Sequence, residues 1–296
     1  MTVGSVQTEG MVPVPGGRVW YRIAGAGKPG IPLLLLHGGP GAGHDYLEPL
    51  ESLADERPVV LYDQLGCGRS DIPDDASLWR FPRFVDEVSA VREALGLDRV
   101  HFLGQSWGGW LAIEYMLTKP AGIVSLTLAN TSAGVDEFVA EALRMVSELP
   151  AETRATIERC EQEGNSDSGE YLAACMAFYQ RHLCRLQQWP PEMLRSMANI
   201  QATPVYRAMW GPSEFTLTGN LAGWDRSSRL SEIDLPTLII SGRYDEMGPS
   251  CQETLRKGIR GSRLHIFENS SHSPQAEEPD AYFALVREFL REAEQA

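Results

Sequence analysis

The segment "RVHFLGQSWGGWLAIEYMLTKP", residues 99–120, constrains the fold more than any other part of the chain. Its first half is a short, continuous apolar run. Its second half has helical character and is stopped by Pro120. Between the two stands Gly104-Gln105-Ser106-Trp107-Gly108, a G-x-S-x-G pattern. Glycines there permit a sharp strand-to-helix turn that exposes the serine at the end of a sheet. A serine at such a junction can equally do no more than cap a helix, so the rest of the chain has to decide.

Further apolar runs read as buried strands: "RVWYRIAG" (18–25), "IPLLLLHG" (31–38), "PVVLYDQ" (58–64), "SLTLAN" (125–130), "PTLIISG" (236–242) and "SRLHIFEN" (262–269). Runs without alternation fit strands covered on both faces, as in a parallel sheet under helices. Helical patterns lie between them, at "FPRFVDEVSAVREALGL" (81–97) and at the C-terminal "DAYFALVREFLREAE". The alternation predicts an α/β fold. Residues 133–231 break the rhythm with helical segments at 135–149, 169–185 and 191–201 and no convincing strand. We read them as a helical cap inserted into a core formed by residues 1–132 and 232–296. The "GAGKPG" at 25–30 matches a phosphate-loop pattern but leads into a strand, so it reads as a turn.

Composition excludes several functions. The 296 residues are 43% hydrophobic and carry a net charge of −14, which disfavours nucleic acid and anionic membrane surfaces as partners. No run approaches the length of a membrane helix, and the start of the chain lacks a secretion signal. Five scattered cysteines fit neither a disulfide framework nor zinc spacing. The expectation is a cytoplasmic protein with reduced thiols, no metal and no cofactor. "NTS" at Asn130 and "NSS" at Asn269 then match the glycosylation pattern by chance.

A nucleophilic serine needs a base and a group to orient it. His272, in the loop between the last strand and the last helix, is placed to return to Ser106. His101 and His265 lie inside strands, and His182 lies on a cap helix. Asp245 follows the penultimate strand in "GRYDE". An aspartate there is often only a turn former, but the order Ser106, Asp245, His272 is that of α/β-hydrolases. The oxyanion donors are then the backbone N–H groups of Gly39, in "HGGPG" (37–41), and of Trp107. His37 reads as a structural hydrogen-bonder. Trp107 is the tryptophan expected to reach the pocket.

Asp245 and Glu246 are adjacent on extended chain, so their side chains point in opposite directions. One can serve the machinery while the other faces something else.

The segments "HGGPGAGHDYLEPL", "VVLYDQLGCGRSD", "GQSWGG", "GRYDE" and the late "SSH" together resemble the proline iminopeptidase family of serine peptidases. In the cap, "HLCRLQQWPPEML" and "VYRAMWGPSEFTLTGNLAGWD" are similar to the archaeal tricorn-interacting aminopeptidase of that family. The resemblance implies an α/β-hydrolase fold with a mostly parallel sheet and a helical cap inserted after the sixth strand. It implies an aminopeptidase that cleaves after a free N-terminal aminoacyl residue by way of an acyl-enzyme. It also implies that Glu214 and Glu246 hold the substrate's α-amino group, with Tyr206 assisting. Physically, two carboxylates in a water-poor pocket persist as charges only where a cation neutralises them.

The expected substrate is a small peptide or an aminoacylated small molecule. Three alternatives stand beside this reading. The same chemistry could remove an aminoacyl protecting group from a macrolactam-type biosynthetic intermediate. The triad could serve an esterase or amino-acid amidase, since fold does not fix function. The scaffold could also be a non-catalytic binding protein.

Overall fold

The apolar runs become seven of the strands of one eight-stranded sheet in a computed structural model that describes residues 7–295. The strands are β1 (Thr8–Val14), β2 (Gly17–Ala24), β3 (Leu33–Leu36), β4 (Val59–Tyr62), β5 (Val100–Gln105), β6 (Ile123–Ala129), β7 (Thr237–Gly242) and β8 (Arg263–Phe267). Their order across the sheet is β1-β2-β4-β3-β5-β6-β7-β8. The first two pairings, β1 with β2 and β2 with β4, are antiparallel, and all later ones are parallel. Every residue of β3, β4, β5 and β7 is buried, as unalternating runs require of strands covered on both faces.

Between β4 and β5 runs α1 (Phe81–Ala94), and between β5 and β6 runs α2 (Trp107–Met116). The segment from β6 to β7 holds α3 (Val135–Ser147), α4 (Ala151–Gln162), α5 (Gly169–His182), α6 (Pro191–Ala202) and α7 (Val205–Met209), with no strand among them. The chain then closes with α8 (Pro249–Gly258) before β8, and with α9 (Pro274–Glu277) and α10 (Pro279–Ala293) after it. No helix among the described residues is long and apolar enough to cross a membrane.

The sequence reading missed five elements: β1, α4, α7, α8 and α9. β1 buries only Val12 of its seven residues and contains Pro13, so it has neither an apolar run nor a full donor set; both features suit a sheet edge. Counting β1 makes the run at 125–130 the sixth strand, after which the helical segment enters. α4 buries only Ile157 and Cys160, too few to print a helical stripe. α7 is five residues long. The helix that begins after Ser106 ends at Met116, four residues before Pro120, and Lys119 there has a positive φ of 56°. The segment at 25–30 is a turn, with Lys28 N–H bonded to Gly25 O at 3.1 Å.

The strand order reverses between β3 and β5: from β3 the chain moves outward to β4, then returns to the other side. Crevices form outside the carboxyl ends of strands at such switch points. Leu36 pairs with Gly104, Gln105 with Ala129, Ala129 with Ile240, and Gly242 with Phe267. The residues that follow these strand ends therefore arrive side by side along one edge of the sheet.

Candidate active site

Ser106 sits at the junction of β5 and α2 with φ 56° and ψ −125°, a left-handed backbone region that a serine adopts only when its surroundings enforce it. Its N–H bonds Ala129 O at 3.0 Å and its carbonyl accepts from Thr131 Oγ1 at 2.8 Å. Two glycines make the turn possible. A Cβ on Gly104 would lie 2.3 Å from Gly108 O, and one on Gly108 would lie 2.0 Å from Leu36 O. Only hydrogen fits at either position.

His272 arrives on the loop after β8. Its Nδ1–H donates to Asp245 Oδ1 at 2.7 Å, which leaves Nε2 with the lone pair. Asp245 is buried and well supplied with donors: Asn130 Nδ2 at 2.7 Å and Ser241 Oγ at 2.9 Å reach Oδ2, and Met247 N–H reaches Oδ1 at 3.0 Å. The loop is held from below as well. Gln105 Nε2 donates to His272 O at 3.2 Å, and Glu277 accepts from Ser271 N–H at 2.7 Å. Ser106 and His272 line one cavity of about 50 Å³, with no hydrogen bond from Ser106 Oγ to the ring.

Gly39 lines the same cavity. Trp107 is the first residue of α2, so its N–H has no acceptor in its own helix. Among the described residues, neither the Gly39 nor the Trp107 N–H donates a hydrogen bond within the chain. The start of α2 adds the positive end of a helix dipole. The Gly39 loop is pinned by Tyr46, whose hydroxyl accepts from Gly38 N–H at 2.7 Å and donates to Gln105 Oε1 at 2.5 Å.

His37 is engaged elsewhere. Nδ1 bonds Gly38 O, Nε2 accepts the Gln64 N–H at 2.9 Å, and burial pushes its pKa down to about 4. The Trp107 side chain does not reach the cavity, contrary to expectation. A side chain at the first position of α2 lies under the helix, so the indole is fully buried against Phe81, Phe84 and Trp110 and donates to Gln64 Oε1 at 2.8 Å. Cap side chains, Leu183, Met193, Met197 and Ile200 among them, supply the apolar wall instead.

Glu214 is half-buried, lines the cavity, and accepts from Tyr206 Oη at 2.7 Å. Glu246 is completely buried, with Oε1 3.6 Å from His272 Nε2 and neither carboxylate oxygen hydrogen-bonded. Burial raises the pKa of both acids. For Glu214 the Tyr206 hydroxyl and the His272 ring oppose the rise; for Glu246 the charges of Glu214 and Asp245 add to it. Among the described residues, no lysine or arginine pairs with either acid. Asn130, Ser241, Gln105 and Tyr46 were not foreseen, because each acts through a residue distant in sequence.

A serine that lines a cavity at a strand-to-helix turn, an Asp–His pair on the following strand ends, and the free N–H groups of Gly39 and Trp107 define an α/β-hydrolase. The alpha/beta hydrolase fold family matches residues 31–279. The chain is 42% identical over 283 residues to a proline iminopeptidase of Heyndrickxia coagulans, covering 96% of this chain and 98% of that one. A solved proline iminopeptidase of Mycobacterium smegmatis superposes with a TM-score of 0.89 at 37% identity, covering 97% of this chain and 98% of the other. The crystal structure of VinJ gives 0.93 at 36% identity, covering 97% and 99%. The chain belongs to the proline iminopeptidase family of α/β-hydrolase enzymes.

Proposed function

We propose that this enzyme is a serine aminopeptidase that hydrolyses the amide bond after a free N-terminal aminoacyl residue, in a small peptide or an aminoacylated small molecule. Ser106 Oγ attacks the carbonyl carbon while His272 Nε2 takes its proton. Asp245 holds the ring in the tautomer that makes this possible. The N–H groups of Gly39 and Trp107 stabilise the tetrahedral oxyanion. The imidazolium then protonates the leaving amine, and water resolves the acyl-enzyme by the same steps in reverse roles. Glu214 and Glu246 receive the substrate's ammonium group, with Tyr206 fixing Glu214.

The observation that carries the substrate assignment is the Glu246 carboxylate: wholly buried, without a hydrogen bond, beside a second acid and without a cation of its own. An ionised carboxylate in that setting costs several kcal/mol unless a cation joins it. A substrate ammonium supplies one. The apolar cap residues facing Ser106 then receive the aminoacyl side chain. The test compares aminoacyl naphthylamides bearing free and acetylated amines. Strong preference for the free amine supports the assignment; equal turnover of both would remove it.

A further inference from the structure

Glu246 stands in an unexpected place for a group that only binds. Its Oε1 is 3.6 Å from Nε2 of His272, the nitrogen that must serve Ser106, while Ser106 Oγ has no hydrogen bond to that ring. The other ring nitrogen is committed to Asp245 at 2.7 Å. The catalytic side of the imidazole thus has a carboxylate beside it as well as the cavity it shares with Ser106.

We propose that Glu246 is an occupancy sensor: it holds the Nε2 side of His272 unready in the empty enzyme, and the substrate's ammonium group releases it. This rests on the reading above that the two glutamates receive that group. Either state of the carboxyl handicaps the base. Ionised, it favours the imidazolium form, which has no lone pair with which to accept the serine proton. Protonated, it leaves a carboxyl O–H with no other acceptor 3.6 Å from that lone pair, just beyond a hydrogen bond and in competition with Ser106 for it. Burial beside Glu214 and Asp245 favours the protonated form. The other titratable groups around the pair are Tyr179 and Tyr206, whose hydroxyls burial keeps neutral.

An ammonium bound at Glu214 changes both cases. It stabilises Glu246 as an anion, its proton leaving to bulk water, and draws that carboxylate toward itself and away from Nε2. The lone pair is then available to Ser106 Oγ. Free-amine selectivity thus arises in kcat as well as in KM. A neutral or acetylated substrate that reaches the cavity meets a triad still unready. Glu246 acts here through His272 and is a positioning residue.

The experiment uses p-nitrophenyl acetate, a neutral ester whose acyl group has no amine, with methylammonium chloride added to fill the amine position. Sodium chloride at equal ionic strength is the control, and enzyme-free rates are subtracted. A severalfold rise in the enzymatic rate with methylammonium, saturable and absent with sodium, is expected. In Glu246→Leu, which presents neither a charge nor a donor to Nε2, the rate without methylammonium should already exceed that of the wild type and no longer respond to it. Inhibition or indifference of the wild type to methylammonium overturns the proposal, as does a Glu246→Leu enzyme that still responds. The wild-type comparison decides the matter even if the variant does not fold. If acetylated and free aminoacyl naphthylamides turn over equally, the amine site itself fails. If the free amine is required yet methylammonium does not activate, the amine site stands and only the sensor falls.

Discussion

Asn130 Nδ2 donates to Asp245 Oδ2 at 2.7 Å, on the opposite oxygen from the one that receives His272 Nδ1. Asn130 itself has a positive φ of 50° at the end of β6, and the same amide reaches Ser271 O at 3.1 Å. One side chain thus ties the sixth strand to both the acid and the histidine loop.

Removing that amide should weaken the orientation of Asp245 without touching substrate. Asn130→Ala is expected to lower kcat by about 10- to 100-fold, far less than the roughly 10⁴-fold expected for Asp245→Asn, which imposes the wrong tautomer on His272. The loss should fall on kcat for amide and ester substrates alike with KM little changed, because the amide acts through Asp245 and His272. Steady-state kinetics on both substrate classes checks this, and Asn130→Asp, which also lacks the donor, should not restore the rate. A loss confined to KM, or a kcat unchanged in a folded variant, would leave Asn130 a purely structural residue.

Ser106→Ala should lose at least about 10⁴-fold in kcat while keeping its thermal transition, because the turn is set by the surrounding glycines and the removed hydroxyl bonds nothing else. A fluorophosphonate probe with peptide mapping should label Ser106 in the wild type. Labelling at any other residue contradicts the assignment.

Glu214 is expected to matter through the amine alone. Glu214→Gln keeps an acceptor for Tyr206 Oη yet removes a charge. The KM for free-amine substrates should rise by about 10-fold or more, with p-nitrophenyl acetate hydrolysis kept within about twofold. A hydrogen bond to a charged group contributes on the order of 1.5–3 kcal/mol, which sets that scale. Equal losses on both substrates would assign Glu214 to the fold.

His101 predicts a stability change with pH. Its ring is buried, bonded to Ser125 Oγ at 2.7 Å and to Glu294 at 3.2 Å; burial holds its pKa down at about 4, against the partial help of Glu294. The unfolded chain protonates this histidine near the ordinary value of 6.5. Between those values the unfolded state binds the extra proton, so stability rises with pH there and is lost as pH falls from about 6.5 toward 4. Denaturant titrations of wild type and His101→Asn should differ in slope by up to one proton in that window, about 1.4 kcal/mol per pH unit. Comparing the two proteins removes the opposing contribution of the raised carboxyls of Glu214 and Glu246. Parallel pH curves would contradict the buried neutral ring.

The residues of the proposed triad were legible because each follows a strand whose apolar run announces it. Ser106, Asp245 and His272 follow β5, β7 and β8, and fold order alone suffices to line them up. Glu214, Glu246 and Tyr206 came from family likeness, since an isolated acid or tyrosine in a cap or loop prints no periodic signal. Their mutual contacts required coordinates. Asn130 and Gln105 escaped notice because a single polar residue at a strand end looks the same whether or not a distant partner awaits it. Trp107 misled for a geometric reason: adjacency to a nucleophile in sequence says nothing about which way the first helical side chain turns. β1 escaped because an exposed edge strand has little to bury.

The cap is fastened to the Gly39 loop by α6 in particular. Ser196 Oγ accepts the Tyr46 N–H at 3.1 Å, Asn199 Nδ2 donates to Ala42 O at 3.0 Å, and Arg195 pairs with Asp45 at 2.6 Å. A Cβ on Gly43 would lie 2.6 Å from the Asn199 amide. α5 holds the histidine loop in turn, since His272 N–H donates to His182 O at 3.1 Å. α6 is therefore divided in what it lets evolution change. Arg195, Ser196 and Asn199 hold the loop that carries the proposed oxyanion donor, while Met193, Met197 and Ile200 on the same helix line the cavity. A laboratory seeking new substrates from this scaffold should build its libraries at the second three positions and leave the first three alone.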